Sequence, residues 1–167
     1  MSLDVANFGP IAEDTPVYGA CRPGHLGGDV DAWSAILRDA GVTDVVCLLS
    51  RGEARRYGLP AAYAGEFRAH HLPIVDRQLP SPDDLQRAVA VVGGVVDRGD
   101  VAVVHCNAGL GRTGVVGAGW LVHSRDLSPV EALDAVENAP RRRSPREAIH
   151  DDNATLEDLH DLLARLR

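Results

Sequence analysis

Short, uninterrupted apolar runs alternate along the chain with longer stretches in which apolar residues recur every three or four positions. VTDVVCLL (residues 42–49) and VAVVH (101–105) are continuous and valine-rich, the pattern of strands buried on both faces of a parallel sheet. PVYGAC (16–21) reads as a short edge strand and FRAHHLPI (67–74) as a further strand. Helices are marked by their ends. DVDAWSAILRDA (29–40) puts Trp33, Ile36 and Leu37 on one face and stops at Gly41, a residue favoured just past a helix terminus. In SPDDLQRAVAVVGGVV (81–96), Ser81 can cap, Pro82 suits the first helical position, and Asp83 and Asp84 complement the positive end of the helix dipole. SPVEALDAV (128–136) repeats the device, with Ser128 and Glu131 spaced as a capping box. Leu156, Leu159, Leu162 and Leu163 predict a last helix over 154–166. NAPRRRSPREAIHDDN (138–153), with two prolines and a charge run, reads as an exposed loop. The alternation predicts one α/β domain over residues 1–167, with a mainly parallel central sheet and helices on both faces.

Composition agrees and narrows the function classes. A chain of 167 residues that is 45% hydrophobic can bury one substantial core. The net charge of −7, with every one of the 17 basic residues an arginine, argues against nucleic acid as a partner. No apolar run approaches a bilayer span, and the start, MSLDVANFGPIAED, lacks the basic-then-apolar signature of a signal peptide. These features predict a cytoplasmic protein without a membrane partner. Cys21, Cys47 and Cys106 are odd in number and unrelated in spacing, as expected of reduced thiols. His70 and His71 are adjacent in a predicted strand and so face opposite ways, and no metal or cofactor site is expected.

The segment VVHCNAGLGRTG (103–114) carries the chemistry. A buried strand ends at His105, the chain turns through Cys106, Asn107, Ala108, Gly109, Leu110 and Gly111, and an apolar helix follows from near Arg112. Unpaired backbone N–H groups at such a helix start, with glycines that let successive N–H groups converge, form an anion nest. Arg112 adds a planar donor fork matched to phosphate oxygens. The same field favours Cys106 as its thiolate. Thr113 can donate its hydroxyl to that sulfur, and His105 can brace the loop through its ring nitrogens. A thiolate at the base of a phosphate cradle predicts in-line attack on phosphorus and a phosphocysteine intermediate. A lone buried cysteine is more often structural, but here the neighbouring residues fit one mechanical scheme. A Walker-type loop is excluded, because no Gly-Lys-Ser/Thr is present.

HCNAGLGRTG resembles the His-Cys-x5-Arg-Ser/Thr signature of the cysteine-dependent protein tyrosine phosphatases. It is most similar to their dual-specificity branch, and within it to the kinase-associated (cyclin-dependent-kinase-interacting) phosphatases. The likeness extends over about residues 17–165 and includes VYGACRPG, GVTDVVCLLSRGEARRYGLP and HHLPIVDRQLPS. It implies Cys106 as nucleophile, Arg112 with the backbone of Asn107, Ala108, Gly109, Leu110 and Gly111 as the phosphate cradle, and Asp76 as general acid and then base. Where many relatives have glycine after the acid, this chain has Arg77, which bears on the mobility of that loop. In the resembling subfamily a glutamine in the segment around 140–153 positions water, and the nearest amide here is Asn153.

Two other residue sets have alternative readings. Cys47 can be a packed core thiol or a trap for oxidised Cys106. Arg141, Arg142, Arg143 and Arg146 can be a solvated run or contacts to a phosphoprotein. The expected substrate is a phosphotyrosine protein, with phosphoserine or phosphothreonine as additional targets, or a small aryl phosphate. The absence of lysine in the cradle disfavours a phosphoinositide. A phosphate-binding pseudophosphatase holding a phosphorylated partner and an RNA 5′-phosphatase remain the alternatives.

Overall fold

The computed structural model describes residues 4–167. Its five-stranded sheet has the order β1-β2-β5-β3-β4, formed by Gly9–Pro10 (β1), Val17–Ala20 (β2), Asp44–Cys47 (β3), Arg68–His71 (β4) and Ala102–His105 (β5). Every pairing is parallel except β1 with β2. The expected edge strand is therefore interior: β2 has β5 on one side and β1 on the other. A two-residue strand containing proline leaves no periodic trace in the sequence and is tolerated only at a sheet edge.

Among the described residues six α-helices flank the sheet: Val30–Asp39 (α1), Arg51–Tyr57 (α2), Pro82–Asp97 (α3), Gly111–Arg125 (α4), Pro129–Glu137 (α5) and Leu156–Ala164 (α6). The alternation of β5 explains the two layers. Ala102 and Val104 pack with residues of α3 to α6, whereas Val103 packs with Trp33 and Leu37 of α1, Ala54 of α2 and Tyr63. The predicted caps form: Ser81 accepts from the N–H of Asp84, and Ser128 and Glu131 make a complete capping box.

The segment expected to be an exposed loop is corrected in part. Residues 145–149 form a 3-10 turn, and Arg143 is fully buried. At the N-terminal end of β3, buried Asp44 binds Arg68, Arg98 and His70, so that end of the sheet is closed by ion pairs. The opposite ends of the parallel strands open onto the loop after β5, where ligands of such sheets are bound.

Candidate active site

Strand β5 delivers His105 and Cys106 to the carboxyl edge of the sheet, and α4 begins five residues later at Gly111. The loop between them is held from outside by its carbonyls. The Cys106 carbonyl accepts from His105 Nδ1 (3.0 Å), that of Asn107 from the Arg22 N–H (3.0 Å), and that of Ala108 from Asn7 Nδ2 (3.3 Å). The Gly109 carbonyl accepts from Arg143 Nη1 (2.9 Å) and that of Leu110 from the Ser144 N–H (3.1 Å). With five consecutive carbonyls fixed outward, the N–H groups of Asn107, Ala108, Gly109 and Leu110 find no acceptor among the described residues. Those of Gly111 and Arg112 lie in the first turn of α4, where no intrahelical partner exists. Gly109 makes the turn possible: its φ is +78°, and a Cβ there would lie 2.5 Å from the Ala20 carbonyl oxygen.

Cys106 lies at the base, 3% exposed, and its Sγ accepts from Thr113 Oγ1 at 3.1 Å. His105 is fully buried, and burial pushes its pKa down to about 4, so the ring is neutral at physiological pH. Because Nδ1 faces a carbonyl it carries the proton, and Nε2 accepts from the Tyr63 hydroxyl at 2.7 Å. The ring thus ties the loop to the aromatic cluster of Trp33, Tyr63 and Phe67 beneath it.

Arg112 is 2% exposed. Its Nη1 and Nη2 meet the two Glu53 carboxylate oxygens at 2.6 and 3.0 Å, and Nη1 also donates to the Ile74 carbonyl at 2.9 Å. Burial works against the charge, but Glu53, Cys106 and Asp76 outweigh it, and the pKa of Arg112 is raised. Glu53 occupies the end of the guanidinium and leaves the Nε side free. That Nε is buried and unpaired, so it is the guanidinium donor left over for an anion at the loop. Glu53 is itself placed by the short helix α2, in which Ser50 and Glu53 form a capping box.

Asp76 stands at the mouth, with Oδ1 3.2 Å from Arg112 Nη2 and the side chain 56% exposed. The next residue, Arg77, adopts a left-handed backbone (φ +60°). Its guanidinium meets both carboxylate oxygens of Asp151 at 2.8 and 3.2 Å, and its carbonyl accepts from Asn153 Nδ2 at 3.1 Å. The loop carrying Asp76 is therefore fastened to the 151–153 segment, and Asn153 reaches that loop.

The sequence reading missed two residues that shape this site. Glu53 was signalled by the spacing Ser-x-x-Glu, but its partner is remote in sequence. Arg143 was grouped with its arginine neighbours, from which the structure separates it. Arg141 pairs with Asp4 and Arg146 with Glu137, while Arg143 passes beneath the loop and donates to the carbonyls of Gly109, Gly9 (3.3 Å) and Gly19 (3.0 Å). A Cβ on Gly19 would lie 2.9 Å from Arg143 Cζ, so glycine there makes room for the guanidinium. No carboxylate pairs with this buried cation among the described residues, and burial pushes its pKa down to about 10.

Cys47 is buried in β3, where burial raises its pKa, and all three cysteines are free thiols. His70 faces Asp44 and His71 the Leu49 carbonyl, and among the described residues no cluster of His, Cys, Asp or Glu is arranged to hold a metal ion. No helix among them is long and apolar enough to cross a membrane.

Comparison with known proteins places this geometry. Residues 18–126 match the family described as polymorphic toxin system, DSP-PTPase phosphatase. Over 109 residues the chain is 28% identical to cyclin-dependent kinase inhibitor 3 of Rattus norvegicus, covering 61% of this chain and 50% of that protein. The chain thus spans about half the length of the curated relatives it matches. Among solved structures it is similar to Tk-PTP in the active form, with a TM-score of 0.70 at 28% identity over 96% of this chain and 99% of that one. It also shares its fold with kinase associated phosphatase carrying serine for its catalytic-site cysteine, with a TM-score of 0.73 at 21% identity over 90% and 86% of the two chains.

Proposed function

Because this chain belongs to the DSP-PTPase phosphatase family of polymorphic toxin systems and to the dual-specificity branch of the protein tyrosine phosphatases, we propose that it hydrolyses phosphotyrosine in proteins through a phosphocysteine intermediate. Phosphoserine and phosphothreonine are the secondary substrates. The observation that carries this reading is the loop 106–110, whose five carbonyls are all engaged, while the N–H groups of Asn107, Ala108, Gly109 and Leu110 and the Arg112 Nε lack partners among the described residues.

In the proposed reaction the dianionic phosphate sits on those N–H groups and on the Nε of Arg112. The Cys106 thiolate attacks phosphorus in line with the ester oxygen, the P–O bond breaks, and Asp76 gives its proton to the departing alcohol or phenol. Water then attacks phosphocysteine, Asp76 takes its proton, and inorganic phosphate leaves as the S–P bond breaks. The Thr113 hydroxyl, 3.1 Å from Sγ, stabilises the sulfur as it regains its charge. His105, neutral and tied to the Cys106 carbonyl, holds the loop in place.

The test is hydrolysis of p-nitrophenyl phosphate in EDTA across pH 5–8. Turnover abolished in Cys106→Ser and reduced by about 100-fold or more in Asp76→Asn supports both assignments. Turnover retained in Cys106→Ser refutes the nucleophile, and full activity in Asp76→Asn refutes the acid.

A further inference from the structure

We propose that helix α2 and Arg22 form a basic docking strip beside the cradle that selects phosphoproteins carrying acidic residues next to the phosphorylated side chain. This rests on the phosphatase reading above and narrows its substrate class.

The chain is strongly acidic overall, yet Arg51, Arg55 and Arg56 crowd the seven residues of α2, and Arg22 lies against Tyr57 of the same helix. None of the four forms an ion pair with a carboxylate among the described residues, a state shared with Arg125, Arg142, Arg143 and Arg165, while the nine other arginines are paired. Arg22 ties this group to the cradle. Arg22 Nε donates to Asn107 Oδ1 at 2.7 Å, and its guanidinium lies 3.7 Å above the Tyr57 ring. Arg56 lies against the same ring at 5.7 Å. Glu53, within the same helix, holds Arg112. Arg51, Arg55 and Arg56 are exposed.

Arg55 and Arg56, in the last turn of α2, complement the helix dipole, but local stability does not account for Arg51. Arg51 is the first residue of α2, where a positive charge opposes the helix dipole. Arg51 and Arg55 are like charges one turn apart, which is also unfavourable. Arg51 further lines an open cavity of about 280 Å³ with Leu72, Pro73, Asp84 and Arg87. In that cavity Asp84 pairs with Arg87 at 3.3 Å, which leaves Arg51 as the cation without a partner. Leu72 and Pro73 immediately precede Ile74, whose carbonyl holds Arg112, so the cavity adjoins the phosphate site. A side chain or phosphate of negative charge, a few residues from the scissile phosphate, is the chemistry that fits. The strip has three exposed arginines and no lysine, which suits planar carboxylate recognition.

The test compares two fluorescent phosphotyrosine peptides that differ only in flanking Asp/Glu or Ser/Gly residues. Binding is measured by anisotropy in the Cys106→Ser protein, with and without Arg51→Gln, Arg55→Gln and Arg56→Gln together. The acidic peptide is expected to bind about tenfold more tightly, a preference that falls with salt and is largely lost in the triple variant. With Cys106 intact, the triple variant is expected to hydrolyse p-nitrophenyl phosphate at the parent rate, which shows that it is folded. Equal affinity for the two peptides, or a preference that survives the triple substitution, overturns the proposal. So does arginine-dependent binding to phosphatidylcholine vesicles carrying phosphatidylinositol monophosphate without any peptide preference, which would make a membrane surface the partner. An arginine-dependent peptide preference in a protein whose wild type hydrolyses no aryl phosphate would support the docking strip and refute the phosphatase reading instead.

Discussion

Replacing Glu53 by glutamine tests how the cradle arginine is held. The carboxylate makes two charge-assisted hydrogen bonds to Arg112, at 2.6 and 3.0 Å, and accepts from the Ser50 N–H at 2.9 Å. Burial disfavours its charge, but the Arg112 hydrogen bonds and the helix cap win, and its pKa falls from 4.5 to about 2. A depression of that size corresponds to about 3 kcal/mol at neutral pH, which we reduce to about 2 kcal/mol because the side chain is 21% exposed. Glutamine keeps one acceptor but turns an amide donor toward Arg112, leaving a nearly buried cation with only the exposed Asp76 as counter-ion. For a chain of this length the expected loss is about 4–8 °C in Tm at pH 7.

The sign of the pH dependence follows from the folded pKa lying below the unfolded one. The stabilisation is fully present above about pH 4.5 and is lost as pH falls toward 2. Urea unfolding followed by the fluorescence of buried Trp33 and Trp120 should therefore show a gap between wild type and Glu53→Gln that is constant at pH 6–7 and closes below about pH 4.5. A gap as wide at pH 3 as at pH 7, or none at pH 7, would refute the reasoning. The misaimed guanidinium should also lower kcat/KM for an aryl phosphate by on the order of 10- to 100-fold.

Three further substitutions probe the surroundings. Arg143→Met leaves the carbonyls of Gly109, Gly9 and Gly19 without their donor, offset by relief of an unpaired buried charge. The expected result is about 2 kcal/mol lower stability by urea titration, with weaker vanadate binding. Gly109→Ala forces a Cβ against the Ala20 carbonyl at positive φ, so activity should drop by about 100-fold or more while circular dichroism stays native. Asp151→Ala frees Arg77 from a half-exposed ion pair, a contact of the kind that adds little to stability. Tm should therefore barely move, while kcat falls several-fold as the Asp76 loop loses its fastening.

Much of this was legible before any coordinates, for identifiable reasons. Residues 103–114 announced themselves because an anion nest needs local glycines and a helix start, all within one short segment. The caps at Ser81 and Ser128 are equally local. Helix α2 was missed because RGEARRY is polar along most of its length, and Ala54 is its one buried residue. The Ser50/Glu53 spacing and Gly58, which takes a left-handed conformation, were the signals available. Arg143 was not legible: three consecutive arginines look alike, and only the space left by Gly19 determines which one turns inward. Arg77 looked like a departure that would alter loop mobility, and its ion pair with Asp151 depends on a segment far along the chain.

The central claim is the covalent step at Cys106. It is tested most directly by mixing the Asp76→Asn protein with a labelled aryl phosphate, quenching with acid within the first turnover, and mapping the label by mass spectrometry of peptides. The account predicts a phosphoryl group on the sulfur of Cys106, absent from Cys106→Ser. Turnover with no label on Cys106 at any quench time, or label on another residue, would contradict it.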